Sequence, residues 1–347
     1  MRTKNLLIGT LVLGLAALSA VYFHQEAPAS APVKKSLIPL DTLKNLQSLS
    51  IKANNRTVTV MLESDGTWAV KEKFGLPVDV ENRLQPLLLS LQKAENLGML
   101  TANPKRLEKL GLADSSLTLK AKEGNALVLE IGKPTDDGAG SSARWQGEPQ
   151  AIRTSFQGYL ESDPTAWMDP VLWNVKAEEI KAFHFTFADG KLDFARTEKG
   201  KPFTGKEGSV LEELANNLSV LRIQDAVAKD DKDSVKAFAK TWSIQVELFD
   251  GAKLTATFAK LAGATPNEMP KLFVRAQHSD AKHKTNLLGA KAEFQAPSWL
   301  AEQIPDSLAD FKKKVEPPAA KPGENTPNSG PVINFGAPGG APIPLGK

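Results

Sequence analysis

Residues 84–133 read LQPLLLSLQKAENLGMLTANPKRLEKLGLADSSLTLKAKEGNALVLEIGK, and residues 211–260 read LEELANNLSVLRIQDAVAKDDKDSVKAFAKTWSIQVELFDGAKLTATFAK. Laid over one another at a constant offset of 127, the two stretches align without a gap. Leu84, Leu87, Leu91, Leu117, Leu119, Gly124 and Leu127 fall opposite Leu211, Leu214, Leu218, Ile244, Val246, Gly251 and Leu254. Nine of the fifty aligned pairs are identical, which alone would carry little, but most of them fall where a helix stripe or a hairpin needs them. Self-similarity of this kind is the mark of a unit used more than once. The expected fold is therefore α+β, two tandem modules each made of a β-hairpin, a long helix, a short helix and a second hairpin.

Working outward, Leu49 and Ile51, then Val58, Val60 and Leu62, alternate with polar neighbours, the period of half-buried strands, and Asn54-Asn55 turns the chain between them. Asp65-Gly66 makes the next turn, and Asp79 suits the cap of the helix carrying Leu84, Leu87, Leu88 and Leu91. Pro86 lacks a backbone donor and belongs in the first turns of that helix or at a kink. Asn103-Pro104 opens a short helix that Gly111 closes, with Leu107 and Leu110 as its buried positions. The second hairpin turns at Glu123-Gly124-Asn125, and a strand pair is expected between Ala143 and Ile152. In the second module Phe183, Phe185 and Phe187 take the first strand at an offset of 134, and the loop before the helix is seven residues shorter. Ser209 with Glu212 reads as a capping box. A strand at Leu272 to Ala276 and a terminal helix from Pro297 to Phe311 complete the expected elements.

The amino terminus carries a different signal. Arg2 and Lys4 precede Leu6 to Phe23, eighteen residues without a charge, about the length that spans a bilayer. Positive charge before the first apolar run favours a cytoplasmic start and an exported remainder. Ala17-Leu18-Ser19 also resembles a processing site, but the run continues past it to Phe23, which favours a retained signal anchor over a cleaved peptide. The chain has no cysteine, which excludes a lipid-modified cysteine, disulfides and thiolate chemistry. The expected organisation is a cytoplasmic start at 1–5, a transmembrane segment at 6–23, a linker at 24–36, modules at 37–171 and 172–315, and a Pro/Gly-rich tail at 316–347. That tail holds eight Pro and six Gly in thirty-two residues and reads as disordered, with Val332, Ile333 and Phe335 as its one candidate docking motif.

The formal net charge is +3, and residues 1–35 account for all of it, since 39 basic and 39 acidic residues make up the rest. An evenly balanced body with no basic block beyond Lys312-Lys313-Lys314 excludes a nucleic-acid role.

Motifs with chemistry are sparse. Of the four histidines, His24, His184, His278 and His283, the last two share a loop with Asp280 and form a weak candidate metal site, lacking preset geometry. Asp230, Asp231 and Asp233 lack the Gly and Glu of a calcium loop and suit a helix cap better. Gly138 to Ser142 lacks the lysine of a phosphate loop. Glu178-Glu179 and Glu212-Glu213 are paired carboxylates, yet a helix start favours acids without catalysis. Trp145, Trp167, Trp173 and Trp299 suit either a sugar or peptide groove or core packing, and packing is the commoner use. No catalytic, metal or cofactor residue is assigned on these grounds.

With both modules laid out, the chain resembles the bacterial family called domain of unknown function 4340. The residues carrying the resemblance are Asp65-Gly66-Thr67-Trp68, Pro77-Val78-Asp79, Leu110-Gly111-Leu112 before Leu117-Thr118-Leu119, Ile131-Gly132-Lys133-Pro134-Thr135, and Ala143-Arg144. The resemblance implies a membrane-anchored protein and, for some members, an auxiliary partner of an ABC-2 type transporter. The expectation is thus a non-enzymatic protein on the periplasmic side of a bacterial inner membrane, binding a transport system or another envelope complex. The alternative is an envelope hydrolase or other enzyme with its site between the modules.

Overall fold

The computed structural model describes residues 35–263, 265 and 268–316. The expected transmembrane segment, most of the linker and the tail after 316 lie outside these residues. Among the described residues no helix is long and apolar enough to cross a membrane.

The fold is α+β, with antiparallel pairing throughout. The first half supplies β1 (Lys35–Ser36), β2 (Leu46–Ala53), β3 (Arg56–Leu62), β4 (Trp68–Val70), β5 (Leu76–Pro77), β6 (Glu95–Thr101), β7 (Ser115–Ala121), β8 (Leu127–Pro134), β9 (Ser141–Trp145) and β10 (Ala151–Thr154). They form one ten-stranded sheet in the order β1-β6-β10-β9-β8-β7-β2-β3-β4-β5. The second half supplies β11 (Val171–Asn174), β12 (Ile180–Phe187), β13 (Gly190–Ala195), β14 (Val220–Arg222), β15 (Asp225–Val227), β16 (Thr241–Leu248), β17 (Lys253–Leu261), β18 (Lys271–His278) and β19 (Glu293–Ala296). Its seven-stranded sheet runs β13-β12-β16-β17-β18-β19-β15, while β11 and β14 pair separately. The run β3-β2-β7-β8-β9-β10-β6 of the larger sheet has the same chain order as the whole smaller sheet.

Local chemistry explains the elements. Asn54 and Asn55 both take positive φ, as a two-residue hairpin turn of this hand requires, and Leu49, Ile51, Val58 and Val60 beside it are fully buried. Asp79 accepts from the amide of Asn82 and caps a π-helical turn, Val80–Leu84. The α-helix Gln85–Lys93 follows directly, with Pro86 at its second position just after the π-helical turn. Leu84, Leu88 and Leu91 bury against the first sheet as Leu211, Leu214 and Leu218 of the helix Gly208–Ser219 bury in the second half. One continuous apolar core spans both halves.

Four expectations are corrected. Lys35 and Ser36, expected in the linker, pair with β6 as a short strand. The capping box does not form: the helix starts at Gly208, so Ser209 lies inside it and Glu212 reaches back to the amide of Phe203 and the guanidinium of Arg196. Leu107 and Leu110 are half-buried, because the helix Pro104–Leu107 is a single turn continued by one 3-10 turn. The terminal helix is two helices, Leu300–Gln303 and Leu308–Val315, since Pro305 forces Ile304 into extended backbone and Ser307 caps anew.

Candidate functional site

A cavity of about 490 Å³ opens between β18 and the helix Lys284–Lys291. Strand alternation turns Arg275 and Gln277 outward while Val274 and Ala276 bury. Ala276, Ala281, Gly289, Ala290 and Ala292 leave the space, and Lys229, Arg275, His278 and Asn286 supply its polar lining. Beside it, buried Glu293 accepts from Arg275 Nε at 2.9 Å and lies 4.0 Å from the Lys229 ammonium. The Arg275 guanidinium also stacks on Phe238, 3.8 Å from the ring centre, and Lys229 donates to the carbonyl of Gly289. The two cations are thus largely committed within the protein, and the arrangement suits holding β18, β19 and the helix together.

The expected metal candidates, His278, Asp280 and His283, do meet, but as a turn. The amide of Asp280 donates to His278 Nδ1 at 2.9 Å, and the Asp280 carboxylate accepts from the amide of Lys282 at 2.9 Å. His283 caps the helix Lys284–Lys291, its Nδ1 3.3 Å from the amide of Thr285. The two imidazoles stack at 3.9 Å and 14°, so their in-plane lone pairs run parallel and do not converge. Burial first, then His278 and Lys284, hold the His283 imidazole below the ordinary histidine range, against an opposing pull from Asp280. Among the described residues no group of three or more His, Asp or Glu side chains is placed to hold a metal ion.

The other candidates have structural partners. His184 lies on the outer face of β12, 2.6 Å from Asp193 and 3.7 Å from Glu247. Asp231 caps the helix Lys232–Ala237 and Asp233 pairs with Lys271 at 2.6 Å. In the glycine loop Ser141 and Ser142 donate to the carbonyls of Phe156 and Lys133. Glu179 pairs with Lys199 at 2.5 Å in a 3-10 turn. Trp167 and Trp173 are buried, their indole N–H groups donating to the carbonyls of Glu161 and Leu218. Trp145 is partly buried against the core, and Trp299 is exposed. His24 and the Val332–Phe335 motif lie outside the described residues.

The junction between the halves is tied by Lys73 with Asp225 and by Lys291 Nζ on the Gly75 carbonyl at 2.6 Å. The main-chain bond from the amide of Ile223 to the carbonyl of Pro170 adds to it. Among the described residues two carboxylates lie below the usual range, and neither is at this junction. A hydrogen bond from Thr135 lowers Asp137, and one from Lys181 lowers Glu247.

Sequence reasoning missed one surface. β6 presents Leu97, Met99 and Leu100 at 45%, 68% and 40% exposure, a clustering of apolar side chains that a buried-strand pattern does not announce.

No curated protein and no solved structure matches the chain. A family model does, over residues 68–239, from the first residue of β4 to just past the helix Lys232–Ala237. Over that span the chain matches the family described as a domain of unknown function, DUF4340.

Proposed function

We propose that this protein is a membrane-anchored, non-enzymatic envelope component, built from one α+β module used twice and held on the periplasmic side of a bacterial inner membrane to bind a protein partner. The observation that carries it is the uncharged run Leu6–Phe23 behind Arg2 and Lys4, followed by a charge-balanced body. The shared strand order of the two sheets supports the duplication, together with the ungapped alignment of 84–133 on 211–260. The partner class, an ABC-type transport system or another envelope complex, follows from the family resemblance.

Two measurements test it. Alkaline extraction and external protease on spheroplasts should leave the full chain in the membrane with its body digestible from outside. Release into the soluble fraction, or a mature form cut after Ser19, sinks the anchor. Photo-crosslinking in native membranes should then attach a transporter or envelope subunit, and recovery of neither rejects the partner.

A further inference from the structure

We infer that the β6 edge, Leu97 to Leu100 with the basic turn that follows, rests on the surface of the membrane that holds the anchor, its apolar side chains seated among anionic lipid headgroups. The inference rests on the anchor reading given above and adds to it which face of the body meets lipid.

Three observations carry it. First, β1 pairs with β6 only at Lys35↔Asn96 and Ser36↔Glu95, so from Leu97 onward the outer edge of β6 has no strand beside it among the described residues. Because the pairing is antiparallel, the amino-terminal end of β1 points along β6 toward Leu97. The eleven residues between Phe23 and Lys35 reach at most about 40 Å, which sets the greatest distance at which this edge can stand from the apolar run. Second, Leu97, Met99 and Leu100 are each exposed along this edge, a run of large apolar side chains in contact with solvent. Third, exposed Lys105 and Arg106 sit in the helical turn just after β6, and Lys35 lies on the strand beside it, a charge set that complements anionic headgroups.

The edge is poorly made for another strand. Gly98 has a φ of +106°, and the pairing of β6 with β10 shifts register twice, so the backbone donors and acceptors do not form an even ladder. What this edge offers is side chains, and apolar side chains flanked by lysine and arginine are the composition of interfacial insertion.

The absence of cysteine makes the test direct. Met99→Cys and, as a control on another exposed apolar site, Val235→Cys are introduced separately into the full chain. Each is labelled with an environment-sensitive fluorophore and reconstituted into phosphatidylcholine–phosphatidylglycerol vesicles carrying a nitroxide quencher on the lipid. Flotation with the vesicles reports the anchor independently. The expected result is flotation of both proteins, with blue-shifted emission and strong quenching at position 99 and neither at 235. Quenching at 99 should weaken when phosphatidylglycerol is omitted or when Lys105→Glu and Arg106→Glu are combined. Flotation without quenching at 99 overturns this inference alone, and failure to float overturns the anchor and this inference with it. A disulfide joining position 99 of two unlabelled copies would place a second chain on the edge and also overturn it.

Discussion

Gly140 has its α-carbon pressed against the backbone of Thr154, so that a β-carbon there would lie 1.8 Å from the Thr154 carbonyl oxygen. Backbone cannot yield as a side chain can, and Gly140→Ala should cost about 3 kcal/mol, the upper end for overpacking. Gly138, two residues away, has open space but a φ of +64°, so Gly138→Ala should cost only about 1 kcal/mol. Urea midpoints of the two variants check the ordering. His283 supplies a pH dependence. Its folded value is depressed below the ordinary 6.5, so between the two values the unfolded chain binds more protons. The contribution is therefore complete above about pH 6.5 and is lost as pH falls toward the folded value. The groups facing it are His278, Lys284 and Asp280. Lowering the pH from 7 to 5 should reduce Tm in the wild type, and His283→Asn, which keeps a cap, should flatten that slope. At this scale the sequence was informative where a residue's own conformation decides, as at Asn54, Asn55, Asp79 and Asp231. The meeting of Arg275 with Glu293, by contrast, depends on β18 lying beside β19 and leaves no mark in either segment alone.

At the scale of the element, the helix Leu308–Val315 shows what docks a single turn pair. Phe311 is buried, stacked on Phe194 with centroids 5.4 Å apart and tilted against Phe185 at 5.3 Å. Leu308 closes over Gly190, and its amide bonds to Asp189. Phe311→Ala should cost about 3–5 kcal/mol and release the amides of 308–315 to fast hydrogen exchange while β16 and β17 stay protected. Persistence of protection in 308–315 would show that the aromatic cluster is not what holds this helix. The long helices were legible because apolar residues recur at three and four in Leu84–Leu91 and Leu211–Leu218. β6, β15 and β19 were not, because their apolar content is short, interrupted or shared with turns, and their pairing is decided by strands far along the chain. The false capping box at Ser209 has the same origin. Glu212 has a better partner in the amide of Phe203, which only the folded loop brings near.

For the whole molecule, an apolar core continuous across both halves means that the halves are not two independent folding units. Calorimetry should show one transition, and Lys73→Ala, by removing the partner of Asp225 at the junction, should lower stability by about 1 kcal/mol without splitting it. Two resolved transitions would argue that the halves melt separately. The pattern of buried side chains announced the α+β class and the matching stretches, whereas the joining of the halves depends on pairs such as Lys291 with Gly75 that periodicity cannot encode. The placement of β6 has a consequence in time. Its neighbour β10 is made long after it, and β15 waits in the same way for β19, so neither sheet can close as the chain emerges from the ribosome. Each half spends that interval as an unfinished ladder, and truncation just short of Ala151 or Glu293 should leave a product that aggregates where the complete chain does not.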